Sequence, residues 1–236
     1  GAVDHGTFVM EAERRLPSLS SDGTPVPQKA VYGGGRRQSN KPFEQTHLMI
    51  GLEAPAYHQP DYFTSQILSG ALGGGMSSRL FQEVRERRGL CYSVYSFATG
   101  LTDSGMFVVH AAGASEKAHE LFSVIRDELD RAADAGFCEA ELGRVKAQMK
   151  MGLLAALESS SARAEQLARH TLFRGRVLPT AELVEWIEAV DAAHLQTLLQ
   201  KILGTPLSLA TVGPIVNLRR FEAVADRFTI PASRAA

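Results

Sequence analysis

Cysteine is scarce: Cys91 and Cys138 are the only two, far apart and without a CxxC spacing. That excludes a disulfide framework, and nothing supports a single bridge between them; both read as reduced, buried or half-buried thiols. Long hydrophobic runs are missing too. No stretch reaches the roughly 18 apolar residues that span a bilayer. No leader pattern opens the chain, which favours a cytoplasmic location while leaving the compartment open. Neither sign of charge dominates: 25 basic and 26 acidic residues leave a formal net charge of -1. That balance argues against a surface built to neutralise nucleic-acid phosphates. What remains is ordinary for a globular protein, with 44% hydrophobic and 22% charged residues in 236. The length suits one large domain, or one domain with an appendage.

The first stretch, "GAVDHGTFVMEAERRL", reads as the end of a strand, then Asp4 as an N-cap, then a helix with Phe8, Val9, Ala12 and Leu16 on one face. "PSLSSDGTPVPQ" is rich in proline and serine and carries a DG turn signal, as interdomain linkers do. Residues 1–28 are therefore expected to be the end of a preceding domain plus a linker, and 29–236 the main domain; a native N-terminal helix on that domain is the alternative. "KAVYGG" and "THLMIGLEA" pattern as strands, and "PDYFTSQILSGAL" as a helix burying Phe63, Ile67, Leu68 and Leu72. A second helix is expected at about 76–88, then two strands, "CYSVYSFATG" and "SGMFVVHAAG", joined closely enough for a hairpin. Five further helical segments follow. One buries Leu121, Phe122, Ile125 and Leu129 and stops at Gly136; others start at Thr180 and Asp191 as N-caps, the latter ending at Gly204. "PLSLATVG" is a final strand and "NLRRFEAVADRF" a closing helix. No internal repeat is visible. The expected fold is α+β, a mainly antiparallel sheet with helices packed on one face.

The triple glycine Gly73, Gly74, Gly75 runs into Met76, Ser77, Ser78 and Arg79. A P-loop needs a lysine that is absent here, and a dinucleotide fingerprint needs a parallel βαβ unit, whereas these glycines lie between two helices. A sharp turn, with Ser77 or Ser78 capping the next helix, explains them without a phosphate. On that helix Leu80, Phe81 and Val84 form the apolar face and Arg85 lies at its flank. Gly89 can end it in a left-handed cap, and Tyr92 then sits early in the next strand. Arg85 and Tyr92 can converge across the turn as a fixed cation and a phenolic donor, suited to a peptide carbonyl or a developing oxyanion. Arg87 and Arg88 are alternatives on the same turn; Arg87 reads as solvated, and Arg88 as facing the last helix carbonyls.

"SGALGGGMSSRLFQEVRERRGLCYSVYSFATGLTDSGMFVVHAAG" closely resembles the C-terminal domain of M16 zinc peptidases, the pitrilysin-like or insulinase-like enzymes that include the mitochondrial processing peptidase and its bacterial relatives. The motif is SRLF followed by R-x(6)-Y, here Arg85 and Tyr92, leading into LCYSV. The resemblance runs from about Gly1 to Leu209, and "GAVDHGTFV" is similar to the way an N-terminal domain of such a peptidase ends. It implies two domains of like fold facing each other across a cavity. The N-terminal one carries H-x-x-E-H, whose histidines hold Zn2+ with a downstream glutamate. That pattern is absent here: His5, His47, His58, His110, His119, His170 and His194 all stand outside it. No metal site is expected in this chain, and Zn2+ is expected in the N-terminal half. The resemblance further implies that Arg85 and Tyr92 bind the substrate carbonyl and oxyanion. It also implies that the loop of Gly73, Gly74, Gly75 and Ser77 lies near the domain interface, positioning the helix and admitting peptide backbone. The implied partners are an N-terminal M16 domain, from the same gene or a partner chain, and a peptide substrate, with a dimer expected. The alternative is a non-catalytic homologue with a structural or substrate-holding role, like a processing-peptidase regulatory subunit or a respiratory-complex core protein.

Overall fold

Along Gln45–Glu53 (β2) every second side chain is buried: Thr46, Leu48, Ile50 and Leu52 are each at most 2% exposed. His47 and Met49, between them, remain in solvent. This is the period of a strand with one covered face. In the computed structural model, residues 2–17, 28–216 and 218–228 are described. Among these, β2 lies at the centre of a five-stranded mixed sheet with Gly35–Ser39 (β1), Ser93–Gly100 (β3), Gly105–Ala114 (β4) and Ser208–Val212 (β5), in the order β1-β5-β2-β4-β3. β2 is antiparallel to β4 and β5, β3 is antiparallel to β4, and β1 runs parallel to β5. The domain is α+β, and the sheet mainly antiparallel.

The covered face takes Leu48, Ile50 and Leu52 from β2 and Phe107, Val109 and Ala111 from β4. Against them pack α2 (Tyr62–Gly73) through Ile67, Leu68 and Leu72, and α3 (Ala118–Ala135) through Leu121, Phe122, Ile125 and Leu129. Burying one such side chain contributes about 1.5–3 kcal/mol, so this layer is the main source of cohesion. Between α2 and α3 a helical turn spans Phe81–Arg87 with π winding. Around this layer lie α4 (Glu139–Glu158), α5 (Ser160–Arg174), α6 (Thr180–Ala189), α7 (Ala192–Leu203) and α8 (Leu218–Asp226). Phe228, just beyond α8, stacks on Phe122 at 5.1 Å. The first helix, α1 (His5–Arg15), is capped by Asp4, whose Oδ1 accepts from the Thr7 amide at 2.8 Å. It buries none of its side chains among the described residues.

Several expectations shift. "KAVYGG" is not a strand: it is joined to the sheet through a side chain, the Tyr32 hydroxyl donating to the Gly51 carbonyl at 2.9 Å and lying 2.7 Å from Ser208 Oγ. The strand begins after it, in GRRQS, where no apolar alternation announces an edge strand. Pro179, not Thr180, occupies the N-cap of α6. Both cysteines are free, but Cys138 is exposed, because it stands outside the core at the N-cap of α4. The proposed linker falls largely on residues 18–27, outside the described residues.

Arg79 joins the π-helix to α4. Its Nε and one Nη hydrogen-bond the two carboxylate oxygens of Glu141 at 2.6 and 2.8 Å, and the same Nη donates to the Gly136 carbonyl at 2.7 Å. This bidentate contact holds the Glu141 carboxyl down at about 2. A depressed carboxylate contributes stability above its ordinary pKa and loses it as pH falls toward the folded value. Replacing Arg79 by Met should therefore lower the melting temperature most at pH 6. The gap to the parent should narrow between pH 4.5 and 2; a pH-independent gap, read from thermal melts across that range, would show that Glu141 is not held this way.

Candidate functional site

The triple glycine sits where α2 meets β3. A Cβ on Gly73 would lie 2.3 Å from the Ser96 amide nitrogen, so the helix end can approach the strand this closely only without a side chain. Gly74 to Ser77 form an exposed turn. Neither serine caps the next helix: the Ser78 hydroxyl donates to the Gly75 carbonyl at 2.6 Å, and Gln82 reaches back to the Met76 carbonyl at 2.7 Å. The loop is thus braced by its own hydrogen bonds.

The helix that follows differs from the expected α-helix of about 76–88. It opens at Arg79 and runs as a π-helix over Phe81–Arg87. π winding is rare and is found often at functional sites. Leu80 and Val84 are fully buried, as the apolar stripe requires. Gly89, at φ 57°, reverses the chain; the Leu90 amide bonds the Val84 carbonyl at 3.0 Å. Tyr92 lies at the bend just before β3, its amide bonded to the Ala112 carbonyl at 2.9 Å.

Four arginines occupy this segment, and three are engaged. Arg79 is held by Glu141. Glu83 is nearly buried, and it draws in Arg87 at 3.0 Å, Arg88 at 2.9 Å and Arg131 of α3 at 3.7 Å. The hydrogen bond from Arg88 is the chief reason that the Glu83 carboxyl titrates below its usual range. This corrects two readings: Arg87 is not simply solvated, and Arg88 pairs with Glu83, because a buried carboxylate requires partners. Arg85 differs. Its guanidinium lies over the Phe81 ring at 4.7 Å, and its nearest carboxylate, on the adjacent Glu86, is 3.9 Å away. Among the described residues its guanidinium makes no hydrogen bond. Its charge is felt at Cys91, where it opposes the burial that pushes the thiol up to about 11. Tyr92, the next residue, is 70% exposed, and its phenol has no hydrogen-bond partner among the described residues. The structure thus leaves one guanidinium and one phenol without hydrogen bonds, among the described residues, on either side of the Gly89 turn.

These features define an α+β domain that carries an arginine and a tyrosine side by side on a short, braced segment. Among the described residues no group of three or more His, Cys, Asp or Glu side chains is placed to hold a metal ion. A sequence model described as the peptidase M16 inactive domain matches residues 1–149. The chain belongs to the peptidase M16 family, as its C-terminal, inactive type of domain. Curated relatives bear the name zinc protease. One from Mycobacterium tuberculosis is 38% identical over 220 residues, covering 91% of this chain and 50% of that protein. Another, from Streptomyces coelicolor, is 32% identical over 224 residues, covering 91% and 49%. The chain spans about half the length of these relatives. Among solved structures, a peptidase M16 inactive domain from Pseudomonas fluorescens matches with a TM-score of 0.76 at 23% identity, over 92% of this chain and 52% of that one. A chain of complex III2 from Candida albicans matches with a TM-score of 0.83 at 18% identity, over 96% and 56%. At such identities these two establish the shared fold.

The names of the relatives imply zinc, and the residues here do not fit the peptidase's metal site. H-x-x-E-H does not occur, and no cluster replaces it among the described residues.

The glycine geometry separates Gly73 from Gly75 experimentally. Gly73→Ala must displace backbone and should destabilise by about 1–3 kcal/mol. Gly75→Ala meets nothing within 4 Å and should stay within about 0.5 kcal/mol of the parent. Urea unfolding of both variants checks this, and equal effects would remove the close approach of α2 to β3 as the reason for Gly73.

Proposed function

We propose that this domain is the non-metal half of an M16 zinc endopeptidase, in which Arg85 and Tyr92 bind the carbonyl of the peptide bond to be cut. The observation that carries this reading is the contrast among the arginines: Arg79, Arg87 and Arg88 are hydrogen-bonded to carboxylates, whereas the guanidinium of Arg85, 3.9 Å from Glu86, and the phenol of Tyr92 make no hydrogen bond among the described residues. A carbonyl oxygen gains negative charge as its carbon is attacked. A guanidinium and a phenol held on a braced turn stabilise that charge without reorganising. The loop of Gly73, Gly74, Gly75 and Ser77 would border the substrate path at the domain interface, where its exposed turn leaves room for peptide backbone. Zinc and the group that activates water would come from an N-terminal M16 domain carrying H-x-x-E-H. Residues 1–28 would belong to the end of that domain and the linker. The exposed apolar side chains of α1 and its C-cap, Phe8 and Leu16 among them, suit contact with it.

Reconstitution tests the reading. The chain alone should cleave no peptide, and mixing with an H-x-x-E-H domain from the same gene or a partner should yield a complex with chelator-sensitive activity. In that complex Tyr92→Phe removes one hydroxyl from an exposed ring, so the melting temperature should hold. Turnover should fall about a hundred- to a thousand-fold, the usual effect of losing one such donor. Unchanged turnover in Tyr92→Phe would remove Tyr92 from the site. A complex with no activity at all would instead favour a non-catalytic, substrate-holding homologue.

A further inference from the structure

SRLF, the stretch that opens the motif, closes on Phe81. Leu80 and Val84 are fully buried, whereas Phe81 is only partly so, packing on the core at its border. Four residues further along the π-helix stands Arg85, whose guanidinium carbon lies 4.7 Å from the centroid of the Phe81 ring. Side chains four apart on a helix are neighbours, so the spacing brings the two together. The distance is well inside the roughly 6 Å within which a cation is attracted to an aromatic face. The Glu86 carboxylate lies 3.9 Å from Arg85 Nε, but the two side chains are 53% and 45% exposed, so water screens that contact and it fixes little.

The two ways of holding an arginine differ in what they leave free. A carboxylate takes up N–H donors of the guanidinium, as Glu141 does with Arg79 and Glu83 with Arg87 and Arg88. A ring attracts the charge through its quadrupole and accepts none of these conventional bonds, so the donors stay available. That kind of anchor suits a cation that must give its hydrogen bonds to a ligand. An unanchored arginine side chain carries large rotamer freedom, which is lost when the ligand is bound. We propose that Phe81 is the positioning residue for Arg85: its ring, packed on the core, holds the guanidinium in place and leaves the N–H groups free for the peptide carbonyl. The proposal rests on the role given to Arg85 above, and Phe81 acts through that arginine rather than on the substrate.

One arm of the test needs only the chain itself. In NMR spectra the side-chain protons of Arg85, assigned by their loss in Arg85→Ala, should lie to high field of solvated arginines, because they sit over a ring. Phe81→Leu keeps an apolar side chain on the core and should return them to the ordinary position. Phe81→Tyr and Glu86→Gln should leave them shifted. The other arm uses the complex with an H-x-x-E-H domain. There Phe81→Leu should lower kcat about five- to thirtyfold, the range that a cation–ring contact spans between exposed and desolvated settings, while KM holds. Phe81→Tyr should keep the parental kcat. That comparison separates a ring from packing volume, so it stands even if Phe81→Leu melts earlier. The proposal is overturned by an ordinary resonance position in the parent, by a shift that survives Phe81→Leu or vanishes in Glu86→Gln, by equal loss of kcat in Phe81→Tyr, or by parental kcat in Phe81→Leu where Arg85→Ala has lost turnover. Parental turnover in Arg85→Ala would sink the role of Arg85 and this proposal with it, a failure told apart from the others because the shift in the isolated chain would persist.

Discussion

A carboxylate that has lost most of its water must find positive charge, and Glu83 finds three arginines. Its position in the π-helix, beside the fully buried Val84, ties this segment to α3 through Arg131. A pair of this kind adds little net stability over an apolar packing, but removing one partner is costly, so the arrangement resists local change. The consequence for function lies in what it leaves over. Arg87 and Arg88 are drawn toward Glu83, and Arg79 is drawn toward Glu141 on α4. The segment that connects the core to β3 is anchored at both ends, and Arg85 is the one cation within it whose guanidinium makes no hydrogen bond among the described residues.

Much of this domain could be read from its residues. α2 and α3 declared themselves through apolar positions three and four apart, and Asp4 and Asp191 through their capping chemistry, since each signal is local. β1 did not, because GRRQS contains no apolar residue and becomes a strand only by pairing with β5, far along the chain. The π winding was equally hidden. Leu80, Phe81 and Val84 are compatible with either winding, so the apolar pattern does not distinguish them. The Arg85–Tyr92 spacing was legible as a motif. The roles of Arg87 and Arg88 were not, because helix geometry says nothing of a carboxylate made needy by burial.

The His47–His110 pair shows the same limit. Neither histidine sits in a recognisable pattern, and they meet only once the β2–β4 register is known. Burial and the neighbouring His47 hold His110 below the ordinary imidazole range, so that ring favours its neutral form. The two faces of the sheet thus differ in chemistry. One is closed by helices; the other presents exposed aromatic and imidazole side chains, Tyr95, Phe97 and His47 among them.

The division of labour among the arginines is the point on which the functional reading rests, and one crossed comparison tests it most directly. Arg85→Ala and Arg88→Ala are each assembled with the N-terminal domain, and turnover and melting temperature are measured together. The expected result is opposite losses: Arg85→Ala loses turnover by a hundred-fold or so at near-parental melting temperature, whereas Arg88→Ala loses melting temperature, by leaving Glu83 short of a partner, and keeps its turnover. The contradicting result is the reverse, turnover lost in Arg88→Ala and retained in Arg85→Ala, which would make the Glu83 cluster the reactive centre and Arg85 a bystander.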